Sequence, residues 1–108
     1  MTSAKTFAVV LVTAPNIRVA RHLASGALRE KLVACANLLP KVESHYRWKG
    51  KVESSAETMA IFKTTTRKVA ELEKFILANH PYDTPEFLVL SLSAGTQRYL
   101  RWIIESVK

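Results

Sequence analysis

The stretch that decides the fold is Leu38–Thr64, LLPKVESHYRWKGKVESSAETMAIFKT. Before Gly50, apolar or small residues alternate with charged ones, which is the period of two that a half-buried strand shows. After Gly50 the alternation resumes, and it ends in the apolar run Met59–Phe62. Gly50 supplies the positive φ that a two-residue hairpin turn needs. The stretch therefore predicts one hairpin whose arms of about a dozen residues are twice the usual strand length of ~5–6.

The tip of this hairpin carries two large aromatic residues, Tyr46 and Trp48. The other predicted strands are short, so the chain's own body cannot reach the tip to cover it. Because two such rings expose a large apolar area to water, we expect a second copy of the chain to bury them. The alternative is a platform that stacks nucleic-acid bases. That reading is disfavoured because Lys49–Val52 lacks the aromatic of the basic-Gly-aromatic signature.

The remaining segments predict alternating strands and helices. In order they are a buried strand at Phe7–Val12, a helix from the cap Asn16 to about Lys31, a helix capped by one of Thr64–Thr66 and reaching about Asn79, a short strand at Phe87–Leu92, and a last helix after Thr96. The first helix shows an apolar face made of Ile17, Ala20, Ala24, Ala27 and Leu28. Pro40 cannot donate to a ladder, so a bulge or bend is expected there.

The order β-α-β-β-α-β with an added C-terminal helix predicts a single α+β domain over residues 1–108. Two crossover helices on a four-stranded antiparallel sheet give a ferredoxin-like sandwich with both helices on one face. The other face of the sheet stays open and apolar. An open face and an overlong hairpin both favour a closed symmetric oligomer.

Composition excludes several classes of protein. The 108 residues include no apolar run of about 18, so neither a transmembrane helix nor a membrane partner is predicted. A single cysteine excludes an intrachain disulfide framework and fits a reducing, cytoplasmic location. Phe7–Val12 after Lys5 could imitate a signal peptide, but the basic region is minimal and a helix start follows. The net charge of +7 is spread over the chain, so no nucleic-acid partner is predicted.

Five segments together resemble the CutA family, which is named for divalent-cation tolerance. They are Val10–Asn16, Glu30–Pro40, Tyr46–Lys51, His80–Glu86 and Tyr99–Ile103. The resemblance implies a ferredoxin-like subunit in a tight homotrimer whose long hairpins pair with neighbouring subunits. It also implies a non-enzymatic role in tolerance or response to divalent metals such as copper, through metal binding or scaffolding of a partner protein. The similarity of this architecture to trimeric nitrogen-regulatory signal proteins gives the alternative, a sensor of small molecules or metals.

The resemblance offers Cys35 and His80 as metal ligands. A thiolate and an imidazole suit copper or zinc. Val12 stands where the bacterial copper proposal has a second cysteine, so one of the implied ligands is missing. The alternative roles are a small core residue for Cys35 and a hydrogen bond that holds the following loop for His80. The resemblance implies no required cofactor, and the ion that it suggests as a ligand is copper or another divalent cation.

The loop that follows His80 predicts a cleft. Tyr82, Asp83 and Glu86 lie close together in it, and Lys63, near the end of the second arm of the hairpin, could face them. Such a group could bind a small anion or a metal at a subunit junction, or the two prolines could simply stiffen an interface loop. Trp102 is predicted in the core or, with Tyr46 and Trp48, in the trimer interface. No nucleophile has a base at motif spacing and no Gly-rich phosphate loop is present, so no catalysis is predicted.

Overall fold

The structure is a computed structural model that describes Met1–Lys108. The elements in chain order are β1 (Thr2–Ser3), β2 (Phe7–Ala14), α1 (Ile17–Arg29), β3 (Cys35–Trp48), β4 (Lys51–Thr65), a 3₁₀ turn (Thr66–Lys68), α2 (Val69–Asn79), β5 (Leu88–Ser91), β6 (Ala94–Gly95) and α3 (Gln97–Ser106). The main sheet is antiparallel with the strand order β3-β4-β2-β5. This order confirms the predicted α+β, ferredoxin-like arrangement.

The long hairpin is present as predicted. Its arms, β3 and β4, have 14 and 15 residues. Lys49 and Gly50 form the turn with φ values of 51° and 79°, and two consecutive positive φ angles are those of a type I′ hairpin turn. A bulge interrupts the pairing between Leu39 and Val42, and Lys41 within it has a φ of 60°. The hairpin gives the molecule its elongated extents of 44 × 26 × 22 Å.

The main core lies between the sheet and helices α1 and α2. Along β4, Thr58, Ala60, Phe62 and Thr64 are buried, whereas the residues between them are partly exposed. Phe62 packs in this core with Val10 and Val12 of β2 and with side chains of both helices. The period of two therefore turns one face of the sheet toward the helices. A second cluster joins α3 to the start of β2 through Phe7, Leu100, Ile103 and Val107.

The opposite face of the sheet is only partly covered. Leu39 at one edge is 44% exposed, and Leu88 at the other edge is 55% exposed. Leu11 and Ile61 lie between them and are half-buried. In a single chain, apolar residues therefore run across this face with solvent above them, which is the condition that favours association.

The ends of the helices show which capping predictions hold. The Asn16 side chain accepts a hydrogen bond of 2.9 Å from the Val19 amide, as predicted for an N-cap. Of the predicted threonine caps, Thr65 is the N-cap residue of the 3₁₀ turn that leads into α2, but it makes no side-chain cap bond, and Lys68 is the N-cap of α2 itself. Thr66 instead donates its hydroxyl to the Thr6 carbonyl oxygen at 3.3 Å. It therefore joins the end of β4 to the segment before β2.

Two features of the chain were not predicted. Strands β1 and β6 form a separate two-stranded sheet in which Thr2 pairs with Gly95. Two-residue strands are too short to show any periodicity in the sequence. On α1, Leu23 packs in the core although the predicted apolar face omits it, whereas Leu28, which that face includes, is 44% exposed. No helix of the structure is long and apolar enough to cross a membrane.

Candidate functional site

The candidate site is a cleft between the outer half of the hairpin and the loop that follows α2. Its volume is about 520 Å³. The residues that line it are Thr13, Ser44, His45, Tyr46, Trp48, Glu53, Glu57, Met59, Tyr82, Asp83, Thr84 and Glu86. Four of these carry carboxylates, and three carry large aromatic rings. The cleft therefore combines negative charge with an apolar wall.

One hydrogen bond joins the two sides of the cleft. The Tyr82 hydroxyl donates to Glu57 Oε2 at 2.7 Å. Burial raises the pKa of Tyr82 well above its ordinary value, and the bond to the Glu57 carboxylate adds to this effect. Tyr82 is therefore a neutral donor that positions Glu57. The bond ties the loop to β4.

Glu86 is the second group of the cleft, after Tyr82, whose pKa is raised. Burial raises its pKa, and the negative charge of Glu57 raises it further. The Glu57 carboxylate, which lines the same cleft, makes ionisation of Glu86 less favourable. In this chain the cleft therefore attracts a positively charged group more strongly than an anion.

His80 holds the loop in place, as the alternative in the sequence analysis proposed. Its Nε2 lies 2.7 Å from the Thr13 carbonyl oxygen, and its Nδ1 lies 3.1 Å from the Tyr82 amide nitrogen. Because the amide can only donate, Nδ1 is the acceptor and Nε2 carries the hydrogen. The ring also lies 4.8 Å from the Tyr82 ring, centroid to centroid. Both ring nitrogens are thus engaged, and neither is free to bind a metal.

Cys35 lies far from His80 in the sheet. Cys35 of β3 pairs with Lys63 of β4, and Lys63 in turn pairs with Val9 of β2. His80, in contrast, contacts Thr13 at the other end of β2. Val9 and Thr13 are separated by four residues of β2, or about 13 Å. The Cys35 thiol donates to Asn37 Oδ1 at 3.6 Å. No group of three or more His, Cys, Asp or Glu residues could hold a metal ion, so the residues of one chain do not fit a copper or zinc centre.

Lys63 is also separated from the cleft. It is four residues along β4 from Met59, which lines the cleft, and this spacing corresponds to about 13 Å. Its Nζ lies 5.8 Å from the centre of the Tyr99 ring, at the other end of the open face. Within one chain, therefore, Lys63 does not lie beside Tyr82, Asp83 and Glu86, and this part of the predicted grouping is wrong. Tyr82, Asp83 and Glu86 do line one cleft.

Sequence reasoning missed two acidic residues of the cleft, Glu53 and Glu57. Both belong to β4, whereas the loop residues follow α2 more than 20 positions later. The signal was present, because Glu53, Glu57 and Met59 lie at even spacing and share a face of the strand. What the sequence did not show is that the loop folds back against this part of the hairpin.

The three predicted interface aromatics are exposed in the single chain. Tyr46 is 42% exposed, while Trp48 and Trp102 are each 46% exposed. Trp102 is therefore not a core residue of one chain, and its ring lies 5.4 Å from that of Tyr99. At the tip, Lys49 Nζ lies 5.9 Å from the centre of the Trp48 ring. Their place in a trimer interface stays a prediction.

We expect Glu86→Gln to stabilise the protein near neutral pH. A raised pKa in the folded state means that ionised Glu86 is disfavoured there, so its contribution to stability is present at low pH and is lost as the pH rises through the folded pKa. Glutamine does not ionise, so the variant does not lose this stability as the pH rises. Thermal unfolding should be followed from about pH 4 to about pH 8. The melting temperature of Glu86→Gln should exceed that of the wild type at the upper end of this range, and the two melting temperatures should converge at the lower end.

The matched control is Glu73→Gln on the exposed side of α2, which removes the same charge away from the cleft. If both variants change the pH profile equally, the effect comes from net charge and the assignment to Glu86 is wrong.

Comparison with known proteins gives the family. The sequence model of the CutA1 divalent ion tolerance protein family matches residues 8–106. The chloroplastic CutA protein of Arabidopsis thaliana is 41% identical over 100 residues, which are 93% of this chain and 55% of that protein. The chain thus spans about half the length of the plant relative. The divalent-cation tolerance protein CutA of Thermus thermophilus is 40% identical over 98 residues, which are 91% of this chain and 95% of that protein.

A solved structure gives the same answer for the fold. The structure described as the periplasmic divalent cation tolerance protein CutA from Archaeoglobus fulgidus superposes with a TM-score of 0.92. The two sequences are 34% identical, and the match covers 94% of this chain and 99% of that one. Sequence and structure agree over nearly the whole domain, and the chain belongs to the CutA1 divalent ion tolerance protein family.

Proposed function

We propose that the protein is a homotrimer that acts in tolerance or response to divalent metal ions, copper among them, and that it does so without catalysing a reaction. Family membership over residues 8–106 supports the metal-related role. The observation that supports the trimer is the hairpin, whose tip carries Tyr46 and Trp48 beyond the reach of the chain's own core.

The physical case for association rests on apolar area and on strand edges. Leu88 and Leu90 of β5 and Leu39 of β3 are each more than 40% exposed on the open face. Strands β3 and β5 are also the two edges of the main sheet, so each has unpaired backbone groups. A closed ring of subunits would cover the apolar face and pair the edges at the same time.

The proposed role belongs to the assembly and not to a metal centre within one subunit. His80 uses both ring nitrogens inside the fold, and Cys35 lies at the other end of the sheet. A copper site that includes either residue stays a prediction and would need ligands from a neighbouring subunit. Scaffolding of a partner protein by the trimer is the form of the proposal that needs no such site. The cytoplasmic location is a prediction too.

The direct test of the assembly is the mass of the protein in solution at low micromolar concentration. We expect three times the mass of the 12.1 kDa chain. A monomer under these conditions would remove the basis of the proposal. The same sample then serves for a copper titration of the wild type, Cys35→Ser and His80→Ala. Equal copper affinity in all three proteins would show that neither residue is a ligand.

The second candidate function is a sensor that binds a small molecule in the cleft. The specific observation in its favour is the volume of about 520 Å³ with aromatic and carboxylate walls. A ligand that binds only the folded state raises its stability by about 2.7 kcal/mol at a hundredfold excess over the dissociation constant. A thermal-shift screen with copper, zinc, nucleotides, small anions and small organic cations distinguishes the two functions. No shift with any of them would favour the scaffold.

A further inference from the structure

The strongest unexplained feature of the surface is a basic stripe along α1. Arg18, His22, Ser25 and Arg29 recur at steps of four, three and four, so they share one side of the helix, and Arg21 lies beside them. All five are exposed. The stripe runs from Arg18 to Arg29, which is about 16 Å of helix. We name these five residues the α1 stripe.

The arginines of the α1 stripe have no anionic partner within the chain. The structure contains two ion pairs, His45–Glu43 and Lys108–Glu105, and neither involves α1. No acidic residue occurs between Ile17 and Arg29. The acidic residues gather elsewhere, above all around the cleft at the hairpin. The positive charge on α1 is therefore free to meet an external group.

The α1 stripe would also remain accessible in the proposed trimer. Helix α1 buries Ala20, Leu23 and Ala27 against the face of the sheet opposite to the open one. The stripe points away from these residues and toward solvent. Association through the open face leaves it uncovered, and a trimer would present three copies.

We infer that the α1 stripe docks an acidic protein segment, with carboxylates spaced along one helix or strand of the partner. Guanidinium groups present forked donors that match carboxylates in a bidentate geometry, and three arginines at helical spacing fit such a row. The inference is independent of the role in metal tolerance and of the trimer.

Two other polyanions match the α1 stripe less well. An anionic membrane surface is usually bound by a helix with a row of large apolar residues beside the cations, whereas α1 has a single exposed one, Leu28. Single-stranded nucleic acid is usually held by aromatic side chains within a basic groove. The exposed aromatic residues are on the hairpin and on α3, and none is on α1.

The test measures the binding of a labelled helical peptide by fluorescence anisotropy. The probe carries glutamates at steps of four, three and four on an alanine background, so it matches the α1 stripe. We expect binding by wild type at about 50 mM salt that weakens at about 200 mM salt, as contacts between charges require. Arg18→Gln/Arg21→Gln/Arg29→Gln should bind about tenfold more weakly, since three exposed ion pairs are lost.

The matched control is Lys5→Gln/Arg67→Gln/Arg98→Gln, which removes three exposed positive charges away from the α1 stripe. We expect it to bind the probe as wild type does. Equal weakening in both triple variants, or no binding by wild type at the lower salt concentration, overturns the inference. Tighter binding to a DNA duplex or to anionic vesicles, lost in the α1 variant, overturns the choice of a protein partner.

Discussion

The double substitution Tyr46→Ala/Trp48→Ala is expected to dissociate the proposed trimer at concentrations where the wild type remains assembled. Each ring is more than 40% exposed in the single chain, and both are at the end of a hairpin that its own core does not cover. Aromatic residues at the centre of an interface typically contribute about 2 kcal/mol or more each. Losing two at every subunit contact should raise the dissociation constant by about a thousandfold.

The measurement is the solution mass as a function of dilution, for wild type and variant. Leu77→Ala provides the control, because Leu77 is a 52% exposed apolar residue on α2, away from the hairpin. It should leave the mass curve unchanged. If the double variant follows the wild-type curve at every dilution, the hairpin tip does not hold the assembly together.

Phe62→Ala is expected to cost about 3–5 kcal/mol of folding stability. Phe62 is fully buried, and its ring fills the space between the sheet and the two helices beside Val10, Leu72 and Ile76. The truncation removes buried apolar area and leaves a cavity that a close-packed core fills poorly. Against a typical total of about 5–15 kcal/mol, a loss of this size is a large fraction of the stability.

The measurement is urea unfolding of wild type and variant at one protein concentration, since the stability of an oligomer depends on concentration. Leu77→Ala on α2 is the control. Leu77 is 52% exposed and lies away from the hairpin, so its truncation should change stability by no more than about 0.5 kcal/mol. Similar losses for Phe62→Ala and Leu77→Ala would contradict the location of the core.

The hairpin and its bulge could be predicted from the sequence because each is indicated by a strong pattern within a short stretch of residues. The alternation on both sides of Lys49-Gly50 indicated the hairpin, and the structure confirms its turn. Pro40 indicated the irregularity that the structure places between Leu39 and Val42. Each of these features depends on neighbouring residues only. The order of the strands then followed from the general rules of connection.

The composition of the cleft could be predicted only in part. The loop residues Tyr82, Asp83 and Glu86 are near in sequence and were grouped correctly, whereas Glu57 is contributed by another element. Lys63 was added to the group because it is near the end of the second arm of the hairpin. It lies four residues of extended strand beyond Met59, which lines the cleft, and periodicity alone does not reveal this distance.

The metal ligands suggested by resemblance, Cys35 and His80, show a second limit of prediction from the sequence. Their residue types suit copper, but ligand type does not determine whether the nitrogen lone pairs are free. In the fold, His80 accepts from the Tyr82 amide and donates to the Thr13 carbonyl. Such a role depends on contacts with a strand 67 residues earlier in the chain.

Strand β3 is an outer strand of the main sheet and is 14 residues long. A newly synthesised copy therefore presents a long row of unsatisfied amide and carbonyl groups to any other extended polypeptide it meets. The same row that would recruit the correct sister chain can recruit misfolded ones, so productive folding is a race against aggregation. Variants that slow assembly should accumulate as insoluble protein in the cell even when each individual subunit is fully folded.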